Sequence, residues 1–282
     1  PKVPFPEPTP HGDLYGICDN STWILLNAVA GKPVDTRWDA RLASRIGQCM
    51  AQFHACARTI DTGQRPGHHL MLEDGNPHPP GATLSDLVDM ARRTKPTDPD
   101  QVTLLDNLDE IIHDLHDIRR SLRELLGAWK PQLVHGDFMP WNVLVDSEGE
   151  ISALIDFEFT RLDHRVADLG RVAYIHSEHV GESTPYPIHW VIGLVKGYMA
   201  EAELSEAELA SVPDFMRLYF IVGCLSMMGQ WLFDGPQWMH LKDHVRLYAD
   251  LWPKYLELRM GADLLRKRLI ACRLHHGEDP LQ

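Results

Sequence analysis

The chain has 282 residues, 44% of them apolar, with 40 acidic against 27 basic side chains and a formal net charge of −13. That length allows one large domain or two moderate ones with ample core. The acidic balance excludes a binder of phosphate backbones, which relies on clustered cations, and no uninterrupted apolar run reaches the length of a membrane span. Neither nucleic acid nor a membrane is therefore an expected partner. The excess charge is spread along the chain, so solubility explains it first; a cleft that draws in a cationic small molecule is the sharper alternative. The five cysteines form no Cys-x-x-Cys pair and read as reduced thiols of a cytoplasmic protein.

The first ten residues contain five prolines and read as an extended entry, without the apolar stretch of a signal peptide. Residues 14–18 and 22–29 are strand-like runs around Asp19-Asn20-Ser21, a predicted hairpin. From Asp35 the apolar set Trp38, Leu42, Ile46, Cys49/Met50, Phe53 and Ala57 steps by three and four. It predicts an amphipathic helix with Thr36 and Asp39 as a capping pair. His54 beside that stripe reads as a satisfied structural histidine. Residues 59–102 are rich in Pro, Gly, Asp and Thr, a surface excursion with a short helix at 84–93; His68, His69 and His78 lack metal-ligand partners at useful spacing. Leu108, Ile111, Leu115, Ile118, Leu122, Leu125 and Trp129 then predict a buried core helix, ended by Gly127 and Pro131.

The chemistry concentrates in residues 133–157. Apolar runs at 143–145 and 151–155 flank Ser147-Glu148-Gly149, a β-hairpin signature. His135-Gly136-Asp137 precedes it, Asn142 follows Asp137 by five, and Asp156-Phe157 follows the second strand. Phosphoryl transfer from ATP needs a carboxylate to orient the attacking hydroxyl and hard oxygen ligands to hold Mg²⁺ against the phosphates. Asp137 is the expected catalytic base, and Asn142 and Asp156 the expected Mg²⁺ ligands. His135 is expected to brace the loop rather than transfer protons, and Pro140-Trp141 to pack beneath it. The Asp-x₄-Asn spacing and Asp156-Phe157 match the protein-kinase pattern, but Gly136 stands where that loop has Arg and Glu158 where Asp-Phe-Gly has Gly.

His-Gly-Asp-x₄-Asn followed by Ile-Asp-Phe-Glu instead resembles the aminoglycoside phosphotransferase, choline kinase and homoserine kinase-like family. The resemblance implies an α+β, protein-kinase-like fold, mainly the helical C-terminal lobe with a catalytic β-hairpin and a truncated N-terminal lobe. It implies ATP and Mg²⁺ as cofactors, and a small-molecule hydroxyl as acceptor, of aminoglycoside, amino alcohol or homoserine-like type. By position it makes the segment before Gly31 the hinge, with the backbone of Asn27 and Val29 presented to adenine and Leu25 and Leu26 near the base. It also gives Asp168 the role of bracing the catalytic loop, while by its residues alone Asp168 reads as an N-cap before 169–175. Upstream of the hinge no G-x-G-x-x-G occurs, and Lys2, among prolines, has no strand context to serve as the phosphate-pairing Lys. Residues 1–30 are thus expected to be the remnant of a small lobe with its hinge, and 31–282 the helical lobe. The intact Asp137, Asn142 and Asp156 favour an enzyme; the missing Lys favours the alternative, a catalytically silent kinase-like binding module.

Farther along, Gly197-Tyr198 and Leu204-Ser205 with Glu208 resemble the homoserine kinase-like branch, Ser205 and Glu208 also fitting a capping box. Residues 215–233 should form a central buried helix, and 240–255 and 261–274 two closing helices. Glu178, Glu182, Trp190, Trp231 and Asp234 are candidate liners of the acceptor pocket. His176 and His179 lack the further ligands that zinc requires.

Overall fold

A computed structural model of the chain describes residues 2–34, 40–61, 83–127, 131–179, 188–234 and 241–274. The expected capping pair Thr36 and Asp39, together with Trp38, His68, His69, His78 and Trp129, lies outside them.

The apolar run expected at 215–233 is the axis of the helical body. Helix α7 (Glu206–Gly229) opens with the capping box formed by Ser205 and Glu208 and ends in a π-helical turn, Gln230–Asp234. Its length and composition would suffice to cross a bilayer, but 78% of the apolar window is buried within the fold. The helices α4 (Leu108–Leu126), α5 (Arg165–His179) and α8 (Leu241–Leu274) pack along it. The stripe predicted for α4 is the stripe that is buried, Ile111, Leu115, Ile118 and Leu122. Two shorter helices, α2 (Leu84–Arg93) and α3 (Pro99–Asp106), precede it. Helix α2 begins where the sequence placed it, with Thr83 and Asp86 closing a capping box.

Helix α8 corrects the expectation of two closing helices, because it runs unbroken through Pro253 and Gly261. Those residues cost about 3 and 1 kcal/mol of helix propensity. Burial of Leu251, Trp252, Tyr255, Leu258, Leu265 and Leu269 along one face outweighs that cost at about 2 kcal/mol per large side chain.

Helix α1 (Ala40–Ala57) packs on α6 (Ile188–Glu201) at backbone contact. A Cβ on Gly47 would lie 2.0 Å from the Leu194 carbonyl oxygen, and one on Gly197 1.9 Å from that of Ser44. Only glycine permits the approach.

Among the described residues the strands are short and form three small sheets. β1 (Gly16–Cys18) and β2 (Ser21–Trp23) make the predicted N-terminal hairpin, although its second strand stops well short of Val29. β3 (Lys32–Pro33), β5 (Val143–Val145) and β6 (Ile151–Leu154) form a three-stranded sheet around the predicted catalytic hairpin. β4 (Gln132–Val134) and β7 (Arg161–Asp163) form an antiparallel pair that the sequence reading did not contain. Lys2 also departs from expectation. It bridges to Ala153, donating its backbone N–H to Ser152 and accepting from Leu154.

Candidate active site

The topology brings the segments that carry Asp137, Asn142 and Asp156 together. Chain 135–142 runs from β4 into the hairpin, and chain 155–160 returns from the hairpin to β7. Because β4 pairs with β7, with Leu133 opposite Leu162, both connections are held side by side at one end of that ladder.

Within the first connection, Asn142 donates its amide to Asp137 twice, at 2.9 Å to the carboxylate Oδ2 and at 2.9 Å to the backbone carbonyl. Both residues are buried. Asp137 and Asn142 therefore form one unit, and the oxygen branch of the Asn142 amide is left on the side away from Asp137. The second connection is tied in through Ile155, which donates its N–H to the Asn142 carbonyl at 2.9 Å and whose carbonyl lies 3.1 Å from His135 Nε2. Asp156, the next residue, is exposed and sits in the left-handed region at φ 65°, which Asp tolerates better than most side chains.

His135 braces the loop. Its Nδ1 accepts from the Asp137 N–H at 3.2 Å, so Nε2 carries the proton that is donated to Ile155. The ring lies among Phe53, Phe138 and Phe157. Burial pushes its pKa below the ordinary 6.5, despite the nearby carboxylates of Asp168, Asp137 and Asp156. The neutral form is the one these partners require.

Beneath the loop, Asp168 accepts from the backbone N–H groups of His135 and Gly136, each at 2.9 Å, and from His54 Nε2 at 3.0 Å. His54 Nδ1 in turn accepts from the Tyr198 hydroxyl at 3.0 Å, and burial raises that hydroxyl to about 12. The bracing role of Asp168 is present, but the N-cap reading is overturned. Helix α5 begins at Arg165, so Asp168 lies inside its first turn and faces the loop. Burial alone would raise its pKa; the hydrogen bond from His54 and the nearby Arg161 guanidinium outweigh that and hold it below the ordinary carboxylate value.

Gly136 explains the departure from the protein-kinase pattern. It adopts φ 76°, and a Cβ there would meet the Phe159 carbonyl oxygen at 2.2 Å and Arg161 Nη1 at 2.3 Å. No side chain fits where that loop carries Arg.

Arg171 is the residue the sequence reading passed over. Its Nη2 donates to Asp137 Oδ1 at 2.6 Å, and its guanidinium lies 5.1 Å from the ring centroid of Tyr219. The spacing from Asp168 was a usable signal, since residues three apart on a helix share a face. Trp141 is exposed rather than packed beneath the loop, and Trp190 is fully buried in the core rather than lining a pocket. Trp231 is partly buried against that core. Asn27 and Val29 are half-buried, and the Asn27 N–H is donated to the Phe5 carbonyl at 3.1 Å. The side chains of His176, Glu178, His179, Glu182 and Asp234 lie outside the described residues.

The arrangement pairs one buried, fixed carboxylate with a second, exposed one across the end of a hairpin. Solved structures resemble this chain in fold. An aminoglycoside phosphotransferase from Alicyclobacillus acidocaldarius superposes with a TM-score of 0.70 at 16% identity, covering 95% of this chain and 78% of that one. A microcompartment-associated aminopropanol kinase gives 0.65 at 16% identity with the same coverage. A spectinomycin phosphotransferase, solved with ADP and spectinomycin, gives 0.57 at 14% identity, covering 93% and 77%. No curated protein matches the sequence. At these identities the structural likeness establishes the protein-kinase-like fold. The sequence pattern of the phosphotransferase enzyme family (APH) matches residues 1–209, and the chain belongs to that family.

Proposed function

We propose that the protein transfers the γ-phosphoryl group of ATP to a hydroxyl of a small molecule, with Asp137 as the base that orients the hydroxyl and accepts its proton. The observation that carries this reading is the Asp137–Asn142 unit, joined through Ile155 to Asp156. A loose phosphoryl-transfer transition state asks the protein for alignment and charge rather than covalent chemistry. A carboxylate fixed on both oxygens supplies alignment.

Asn142 and Asp156 are the proposed Mg²⁺ ligands. An amide oxygen and a carboxylate are hard donors, and Mg²⁺ characteristically takes only one or two protein oxygens beside substrate phosphates. When bound, the ion would neutralise charge on the transferring phosphates. Adenine recognition is proposed for the hinge. Because the Asn27 N–H is already donated to Phe5, that role falls to the Asn27 carbonyl and the peptide groups of Val29. We place the protein in the cytoplasm, in keeping with five cysteines that are all free thiols.

The neighbours named above include kinases of an amino alcohol and of spectinomycin, so the acceptor class proposed here spans aminoglycosides, amino alcohols and homoserine-like compounds. ADP release from Mg-ATP, measured across those three classes, tests the reading. Asp137→Ala should lower turnover of an accepted substrate by about 10³-fold, as loss of a positioned base does. Turnover unchanged in that variant overturns the assignment, and a panel in which nothing is phosphorylated favours the silent binding module.

A further inference from the structure

Asp137 is held by two different partners on its two oxygens. Oδ2 meets Asn142, on the side of the sheet and of Asp156. Oδ1 meets Arg171, which comes from α5 and leans on Tyr219 of α7, the opposite, helical side. If the nucleotide phosphates approach from the sheet, the Oδ1 edge is the one turned towards the acceptor.

Arg171 differs from the other guanidinium in this neighbourhood. Arg161 is enclosed: its Nε donates to Asp163 at 3.1 Å, its Nη2 to the Tyr219 hydroxyl at 3.2 Å, and only 9% of its side chain is exposed. Arg171 keeps 25% of its side chain exposed. Among the described residues its one hydrogen bond is to Asp137, and its Nε is buried without a partner. A guanidinium has five donors in a planar fork suited to oxyanions. Arg171 thus holds spare donors beside the reactive carboxylate, and its bond covers the oxygen that the acceptor hydroxyl must reach.

We propose that Arg171 reads an oxyanion group on the acceptor, so that the substrates are hydroxyl compounds bearing a carboxylate or a phosphate near the hydroxyl that is phosphorylated. This inference rests on the phosphotransfer reading above and narrows it. The acceptor's anion takes the spare donors and draws the guanidinium aside, and its hydroxyl takes the vacated place on Asp137 Oδ1. The hydroxyl oxygen then bonds to the γ-phosphorus as the bond from that phosphorus to ADP breaks, and its proton passes to Oδ1. ATP is the only co-reactant. An ammonium in the same place would face Arg171 as a like charge, so any amine on the acceptor sits farther from the reacting hydroxyl.

The test uses matched pairs: L-homoserine against L-homoserinol for the carboxylate, and glycerol 3-phosphate against glycerol for the phosphate. In the wild-type protein, the acid member of at least one pair should have a kcat/KM about 100-fold higher, the scale of a hydrogen bond to a charged group. The pair that shows the preference identifies the oxyanion. Arg171→Gln should collapse that ratio mainly through the KM of the acid, with Arg171→Lys restoring part of it. Equal or better turnover of the neutral members, or an acid preference that survives Arg171→Gln, overturns the inference. So does phosphorylation of only aminoglycosides or amino alcohols. If Asp137→Ala leaves turnover unchanged, the base assignment falls instead, and a wild-type ratio near one with an inactive Asp137→Ala sinks the oxyanion reading alone.

Discussion

Two hairpins in this chain are built alike and end differently. In β1–β2, Cys18 pairs with Ser21 across a two-residue turn in which Asp19 and Asn20 have φ values of 50° and 60°, the positive-φ turn that suits the twist of paired strands. In β5–β6, Val143 pairs with Leu154, and the turn is fixed by Asp146, which accepts from Glu148 and Glu150 N–H at 2.9 Å each, and by Gly149 at φ 77°. Both turns follow from local residues. Yet Ile17 and Trp23 are 73% and 65% exposed, while Val143 and Leu154 are buried. The second hairpin has β3 along one edge, and Arg45 of α1 clamps its tip through Gly149 and Glu150. Turn chemistry makes a hairpin; partners distant in sequence make it a rigid carrier for Asp137, Asn142 and Asp156.

The largest test of that difference lies beneath the loop. Asp168→Ala leaves His54 and the N–H groups of His135 and Gly136 without their common acceptor in a fully buried site. Urea unfolding should show a loss of about 3–5 kcal/mol, the cost of breaking a buried charged network, with phosphoryl transfer falling alongside. A loss below about 1 kcal/mol would mean that the loop holds its shape without Asp168, contrary to its place in the network.

Next in size is Leu154→Ala. It empties a buried position in β6 and should cost about 2–5 kcal/mol, again by urea unfolding. A cost near zero would place the β5–β6 hairpin on the same footing as β1–β2.

How far the sequence reached follows the same division. Features set by neighbours along the chain were readable: the turn at Asp19-Asn20, the short helix at 84–93, the Ser205 helix start, the buried stripe of α4, and the Asp-x₄-Asn spacing. Features set across space were not. The β4–β7 ladder consists of three-residue strands 29 positions apart, too short for alternation to show. Arg171 could be picked out only by knowing that α5 turns the face bearing Asp168 towards the loop. The continuity of α8 was hidden because Pro253 and Gly261 are local breakers overruled by packing. Trp190 gave no sign in its own residue type of whether it met a ligand or the core.

A smaller effect concerns pH. The pKa of His135 is lowered by burial, so the folded protein binds a proton there less readily than the unfolded chain. The corresponding stability is fully present above 6.5 and is lost as pH falls from that value through the lowered folded pKa. Unfolding free energy should therefore decline between pH 7 and pH 5, and His135→Asn should flatten that decline. An unchanged slope in the variant would mean that another group titrates there.

The smallest expected effect closes the comparison from the exposed side. Ile17→Ala removes as many carbons as Leu154→Ala, from a strand of the same length class and the same antiparallel pairing. Since Ile17 is 73% exposed, little apolar area leaves the interior, and surface substitutions of this kind fall within about 0.5 kcal/mol. A two-stranded hairpin alone is marginal in water, so its amides should also exchange with solvent far faster than those of β5 and β6. If Ile17→Ala instead costs as much as Leu154→Ala, the face of β1–β2 that carries Ile17 is covered in solution, and the two hairpins differ in their partners rather than in their burial.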